Sequence, residues 1–333
     1  MKNIIKKLIV VPLIFATILC LASCEKLKSD LKLDVKDFLD EYVFNNKKEI
    51  NEKNVSGDIV STISNVNNDT YDKLVTVNDD TFTLSQYKLP KIGDEIGGFK
   101  TLNIYDFDER NAKVVEFYHE KTGATAFLIS NDDEDKYAAL GFNTLAYDDK
   151  GVPHVFEHAT LGGSEKYNSS NLFFEMTNKT YDTFLNALTM QCATAYPMGS
   201  LSDEQLFSYF KVYIDGVFNP NILRNNKNFE REAYRYILEN KDAELNLSGV
   251  VYSEMSAHEG SIFEKAYDAT AKTLFNKSFV SSNTGGAIKD IPKMTYDELL
   301  EFHKTYYTPS NMVMLLYGDI DYSKYLNYVN DEY

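Results

Sequence analysis

The chain contains no tryptophan, and its 333 residues include only three cysteines, Cys20, Cys24 and Cys192. So few cysteines exclude a disulfide-built scaffold. The fold must rest on apolar burial, and this length allows one sizeable core or two modest ones. Basic residues are also scarce: 34 Lys and Arg face 50 Asp and Glu, for a net charge of −16. There is no basic patch, no glycine-rich phosphate loop and no internal repeat. Such a surface repels nucleic acid and anionic membranes and favours cationic peptides, so no nucleic-acid partner is expected. Long apolar runs are lacking too. The stretch from Leu8 to Leu21, behind Lys2, Lys6 and Lys7, is too short for a confident membrane span and reads as an export signal. Residues 1–23 hold three lysines and no acids, so the remainder is three units more negative, at −19.

What the chain has in plenty is aromatic surface, with 24 Tyr and 21 Phe. It also has one dense cluster of chemistry, in Gly151-Val-Pro-His-Val-Phe-Glu-His-Ala-Thr-Leu-Gly-Gly-Ser164. Pro153 suits the first turn of a helix, and Gly162 and Gly163 suit its end. Positions four apart share a helical face, so His154 and His158 direct two imidazoles to one point, with the Glu157 carboxylate beside them. The order is H-x-x-E-H, a zinc signature. A third ligand is available in a helix expected to open near Ser248, where Glu254 follows Val250 and Val251 and precedes Met255. On a packed face such a carboxylate needs a cation or a donor. Two imidazoles and one carboxylate leave a fourth tetrahedral position open, as catalytic zinc sites do. His258, one turn past Glu254, is a candidate hydrogen-bond partner for it. Cys192 reads as a small buried residue with no internal partner once Cys24 is modified.

The segments GVPHVFEHATLGGSEKY, FLNALTMQCATAYP, FEREAYRY and GVVYSEM resemble, in order and approximate spacing, the pitrilysin (inverzincin) metallopeptidases, and most nearly their presequence-protease and falcilysin-like branch. The resemblance runs from about Gly97 to the C-terminus. It implies Zn2+ held by His154, His158 and Glu254, with Glu157 as general base. It also implies an edge strand at Asn186 and Ala187 that pairs with substrate backbone, and a supporting acid at Glu232. Where some relatives carry a second glutamate seven residues before the ligand, this chain has Leu247. The function so implied is zinc-dependent endopeptidase activity on unfolded oligopeptides. Related chains continue into further domains, so a half that binds zinc and peptide but needs a complementary C-terminal half for turnover is the alternative. Separately, Leu21-Ala22-Ser23-Cys24 resembles a bacterial lipoprotein box. That implies a lipid on Cys24 and anchorage on the extracytoplasmic side of the cell membrane.

Three segments follow: a signal at 1–23, a polar tether at 24–96 with a short helix near Val35–Phe44, and a catalytic domain at 97–333. Within the last, strands are expected at Lys113–His119, Thr125–Ser130, Ala138–Tyr147 and Asn311–Gly318. Helices are expected at Asn171–Asn178, Ser202–Phe218, Asn228–Glu239, Gly249–Phe275 and Tyr296–Tyr306. Hairpins and clustered helices without regular βαβ alternation indicate an α+β fold, an antiparallel-rich sheet with helices packed on one side.

Overall fold

The computed structural model describes residues 85–107, 111–258, 261–276 and 278–333. The expected signal, Cys24, the helix near Val35–Phe44 and most of the tether lie outside the described residues. Period-two alternation builds the first part of the sheet. Strands β1 (Glu95–Ile96), β2 (Phe99–Phe107), β3 (Ala112–His119) and β4 (Thr125–Ser130) pair antiparallel in sequence. Gly123, at φ 80°, closes the expected turn between β3 and β4. The domain begins earlier than Gly97. Leu89 is buried in the core, and Ser85 Oγ donates to Asp319 Oδ1 at 2.6 Å, so residues 85–96 are part of the packed domain, not the tether.

Strand β5 spans Lys136–Asn143. It starts and ends before the expected Ala138–Tyr147 because its length is set by the partner that pairs with it from Ser200 to Ala193. The chain then enters helix α1 (Val152–Leu161) and helix α2 (Leu172–Lys179). Next comes an edge ribbon made of β6 (Phe184–Leu185) and β7 (Leu188–Thr189), both paired with β8 (Ala193–Ser200). The break between them has a local cause. Asn186 N–H donates to the Pro197 carbonyl at 3.2 Å, and proline has no N–H to return the bond.

Helix α3 (Asp203–Phe218) is capped by Ser202, whose side chain accepts from Gln205 N–H. It buries Leu206, Phe210, Ile214 and Val217 against β5 and β8, at about 1.5–3 kcal/mol for each side chain removed from water. Helix α4 (Asn226–Glu232) is shorter than the expected Asn228–Glu239. Residues 235–237 form β9 (Arg235–Ile237), paired with β10 (Asn246–Ser248), a non-local contact that overrides helical propensity. Ser248 therefore ends a strand and does not cap a helix. The single helix expected at Gly249–Phe275 is two, α5 (Val250–His258) and α6 (Ile262–Leu274), the second capped by Ser261. Helix α7 (Tyr296–Tyr306) opens with a Thr295–Glu298 capping box, and β11 (Met312–Gly318) enters the middle of the sheet. Helix α8 (Tyr322–Glu332), not expected from the sequence, buries Tyr322, Tyr325, Leu326 and Val329.

The sheet order is β1-β2-β3-β4-β11-β5-β8-β6, with β7 also on β8. It is antiparallel except for the β4–β11 pair, an α+β architecture as the pattern predicts. Among the described residues no helix is long and apolar enough to cross a membrane. Cys192 corrects an expectation: it is half-buried, not buried.

Candidate metal centre

Helix α1 starts where two backbones nearly touch. Gly151 sits at φ 76°, and a Cβ there would lie 2.7 Å from the Gly285 carbonyl oxygen and 2.7 Å from Gly286 Cα. Only glycine lets the 285–286 loop lie this close. That loop then orients a histidine, since His154 Nδ1 lies 3.1 Å from the Gly285 carbonyl. A carbonyl can only accept, so Nδ1 carries the proton and the Nε2 lone pair points away from the loop. One turn on, His158 Nε2 lies 3.2 Å from His154 Nε2.

Glu254, on α5, completes a triangle. Its Oε2 is 3.7 Å from His154 Nε2 and 3.4 Å from His158 Nε2. These three residues form a group whose ligand atoms all lie within 4.8 Å of one another. Burial and the neighbouring His154 hold His158 down at about 4, so its imidazole is neutral at pH 7 and offers a lone pair. Three lone-pair atoms converging without a proton between them repel one another unless a cation lies among them. A tetrahedral zinc ion with bonds of about 2.0–2.1 Å requires donor separations of about 3.3–3.4 Å. The edges of 3.2 and 3.4 Å lie close to that requirement, and the His154–Glu254 edge, at 3.7 Å, is longer.

One expectation about Glu254 is corrected. Helix α5 buries only Val251, and Val250 and Glu254 are exposed. The carboxylate stands on the rim of a cleft, not on a packed face. Burial also pushes the Glu157 carboxyl up from its ordinary value, against the pull of a hydrogen bond from Thr189 Oγ1 to Oε2 at 2.5 Å and of His154. Glu232 is buried, with its Oε2 3.8 Å from His158 Nδ1, and Arg231 Nε donates to its Oε1 at 2.7 Å. It stands beside His158.

His154, Glu157, His158, Glu232 and Glu254 all line a cleft of about 660 Å³. Asn186 and Ala187 line it too, from the break in the edge ribbon, with Phe173 and Phe174 of α2 forming an aromatic wall. Asn186 Oδ1 accepts from Ala187 N–H at 2.9 Å. His258 is the residue the structure does not bring in. Its Nδ1 faces Glu264 Oε1 at 3.6 Å, and its side chain lines a different cleft. A full helical turn separates its Cα from that of Glu254, and the ring turns to the later carboxylate. Sequence reasoning missed Thr189, although it lies two residues past Ala187 on a period-two ribbon. It also missed Arg231 and the Gly285 carbonyl, the latter 131 positions from the histidine it orients.

The chain is 39% identical over 236 residues to Protein HypA of Clostridium perfringens, covering 71% of this chain and 24% of the relative. It is 34% identical over 224 residues to presequence protease 1, chloroplastic/mitochondrial, of Arabidopsis thaliana, covering 67% and 21%. To the mitochondrial presequence protease of Drosophila melanogaster it is 34% identical over 250 residues, covering 72% and 23%. The chain belongs to the pitrilysin family of peptidases. The crystal structure of pitrilysin shares the fold, with a TM-score of 0.55 at 19% identity over 70% of this chain and 24% of that one. The family described as Peptidase M16 inactive domain matches residues 293–333, a stretch outside the histidine and glutamate cluster. The chain spans about a quarter of the length of these relatives.

Proposed function

We propose that this chain is the metal-bearing part of a zinc endopeptidase acting on unfolded oligopeptides. The observation that carries the reading is the triangle of His154, His158 and Glu254 donor atoms with the half-buried Glu157 in the same cleft. A bound zinc ion would supply Lewis-acid chemistry, making a water acidic near neutral pH and polarising a carbonyl. His154, His158 and Glu254 would hold that ion, with the Gly285 carbonyl orienting the His154 ring and the Glu232 carboxylate facing His158 Nδ1 at 3.8 Å. Glu157 accepts a proton from the attacking water and returns it to the leaving amine nitrogen. A carboxylate that loses hydration by burial is a stronger base, which suits this role. The ribbon at Phe184–Thr189 offers a free sheet edge beside the cleft, and an extended peptide added there is held by main-chain hydrogen bonds that accept many sequences.

Peptides are the proposed substrates. Efficient turnover is proposed to need a complementary C-terminal half that supplies a second wall and carbonyl-stabilising donors. A lipid on Cys24, holding the enzyme on the outer side of a bacterial membrane, is proposed from the sequence alone. The deciding experiment is metal analysis of the purified chain together with cleavage of a mixed peptide library. About one zinc per chain is expected, with Glu157→Gln retaining the metal and losing hydrolysis. Full metal occupancy in a His154→Ala, His158→Ala double variant would place the site elsewhere.

A further inference from the structure

Tyr209 and Tyr213 stand one turn apart on α3, on the same helical face, and both are fully buried. Their rings belong to the main core, where close packing holds each side chain in one place and makes its hydroxyl a fixed point. Tyr209 Oη lies 2.5 Å from Thr180 Oγ1. The Thr180 hydroxyl gives its own proton to the Met176 carbonyl at 2.6 Å, so the phenol is the donor. Tyr213 Oη donates to the Asn186 carbonyl at 3.3 Å. Burial pushes both phenols up from their ordinary value, so each keeps the proton that makes its bond.

The two acceptors belong to the two walls of the metal cleft. Thr180 is the C-cap of α2, whose Phe173 and Phe174 line one side. Asn186 lies at the break in the edge ribbon, which lines the other. Helix α2 has little else to hold it: Met176 is its one buried side chain, and ahead of its first turn the Ser170 carbonyl accepts from Arg231 Nη1 at 2.8 Å. The middle of the connecting segment is pinned to β8, where Thr183 N–H donates to the Gly199 carbonyl at 3.1 Å. Its two ends, next to the cleft walls, rest on the two phenols. A buried tyrosine hydroxyl finds a partner as a rule. Here two from one helical turn find theirs on the facing walls of one cleft.

We propose that Tyr209 and Tyr213 are positioning residues that set the spacing between the α2 wall and the edge ribbon, and through it how tightly an extended peptide seats over the metal. This rests on the reading of the metal cleft as a peptidase site. Neither phenol lines the cleft, so both act through the wall they hold. His154, Glu157 and His158 stand on α1, and Thr189 is paired with Thr194 beyond the break. The reacting groups therefore keep their places when the walls move, and the loss falls on peptide affinity and not on kcat.

The test uses the full chain loaded with zinc, in three variants: Tyr209→Phe, Tyr213→Phe, and Tyr209→Phe combined with Thr180→Val. A dye-labelled decapeptide of mixed sequence is the probe. Its binding is read by fluorescence anisotropy in a Glu157→Gln background, and its cleavage with Glu157 intact gives kcat and KM. Acetohydroxamate, which ligates zinc and is too small to reach from wall to wall, is the control inhibitor. Each single variant is expected to bind the peptide about fivefold more weakly and to raise KM to match, as the loss of one hydrogen bond allows. Zinc content, kcat and acetohydroxamate inhibition should not change. Adding Thr180→Val removes the acceptor that Tyr209→Phe leaves unpaired, so chemical denaturation should show stability recovered while peptide affinity stays low. Affinity that returns with stability, or a fall in kcat at constant KM, would overturn the positioning roles. Cleavage with zinc and an unaltered KM in both single variants sinks those roles alone. An unaltered chain that takes up no zinc or cleaves no peptide sinks the peptidase reading, and these roles with it.

Discussion

Thr189 Oγ1 donates to Glu157 Oε2 at 2.5 Å, which ties the proposed base on α1 to the last residue of the edge ribbon. The bond fixes one carboxylate oxygen and leaves the other for the water proton. Thr189→Val should lower kcat by about tenfold, since a hydrogen bond to a charged group contributes about 1.5–3 kcal/mol and only part of that is lost in positioning. KM and zinc content should hardly change, and Thr189→Ser should restore most of the rate. Steady-state kinetics beside metal analysis checks this; a Thr189→Val enzyme with unaltered kcat would remove the residue from the mechanism.

The Gly151 contact leads to a prediction about metal affinity. Gly151→Ala would place a Cβ 2.7 Å from the Gly285 oxygen at a backbone φ of 76°. The 285–286 loop must then withdraw, and the carbonyl that holds His154 Nδ1 withdraws with it. Zinc affinity is expected to fall on the order of tenfold, in line with other changes to the partners of metal-bound histidines. Competition against a chromogenic chelator measures it.

Arg231 and Glu232 should behave as a unit. Arg231→Met leaves a buried carboxylate without its cation, an arrangement that costs up to about 3–5 kcal/mol. Arg231→Met combined with Glu232→Gln should recover most of the loss, because no uncompensated charge then remains buried. Chemical denaturation of the two single variants and the double variant gives the coupling directly, and purely additive losses would contradict it.

Alkaline pH should unfold the domain sooner than its tyrosine content alone would suggest. Burial and Asp135 push Tyr137 up to about 12, and burial and Asp321 do the same for Tyr322. Both phenols keep their protons in the folded chain while the unfolded chain releases them near 10. Their stabilisation is complete below pH 10 and is lost as pH rises towards 12, by about 1.4 kcal/mol per pH unit for each group. Unfolding free energy followed from pH 9 to 12 should therefore fall, and Tyr137→Phe should make the fall shallower.

Much of this arrangement was legible locally. The helix of His154 and His158, the Ser202 and Thr295 starts and the β3–β4 turn depend on residues within a few positions of one another, where capping and periodicity act. Helix α8 is legible too, since Tyr322, Tyr325, Leu326 and Val329 follow the 3.6 repeat.

The conversion of Arg235–Ile237 into a strand was of another kind. Its cause is a partner at Asn246–Ser248 that no local propensity reveals. The same holds for the centre itself. The residue types, and the turn that pairs His154 with His158, follow from local order, because helix geometry brings residues four apart onto one face. That Glu254 faces them from an exposed rim, that Gly285 sets the tautomer of His154, and that His258 turns away to Glu264 was decided by the tertiary structure. Those relations are distances between separately packed elements, set by how α1, α5 and the 279–286 loop pack and not by any spacing along the chain.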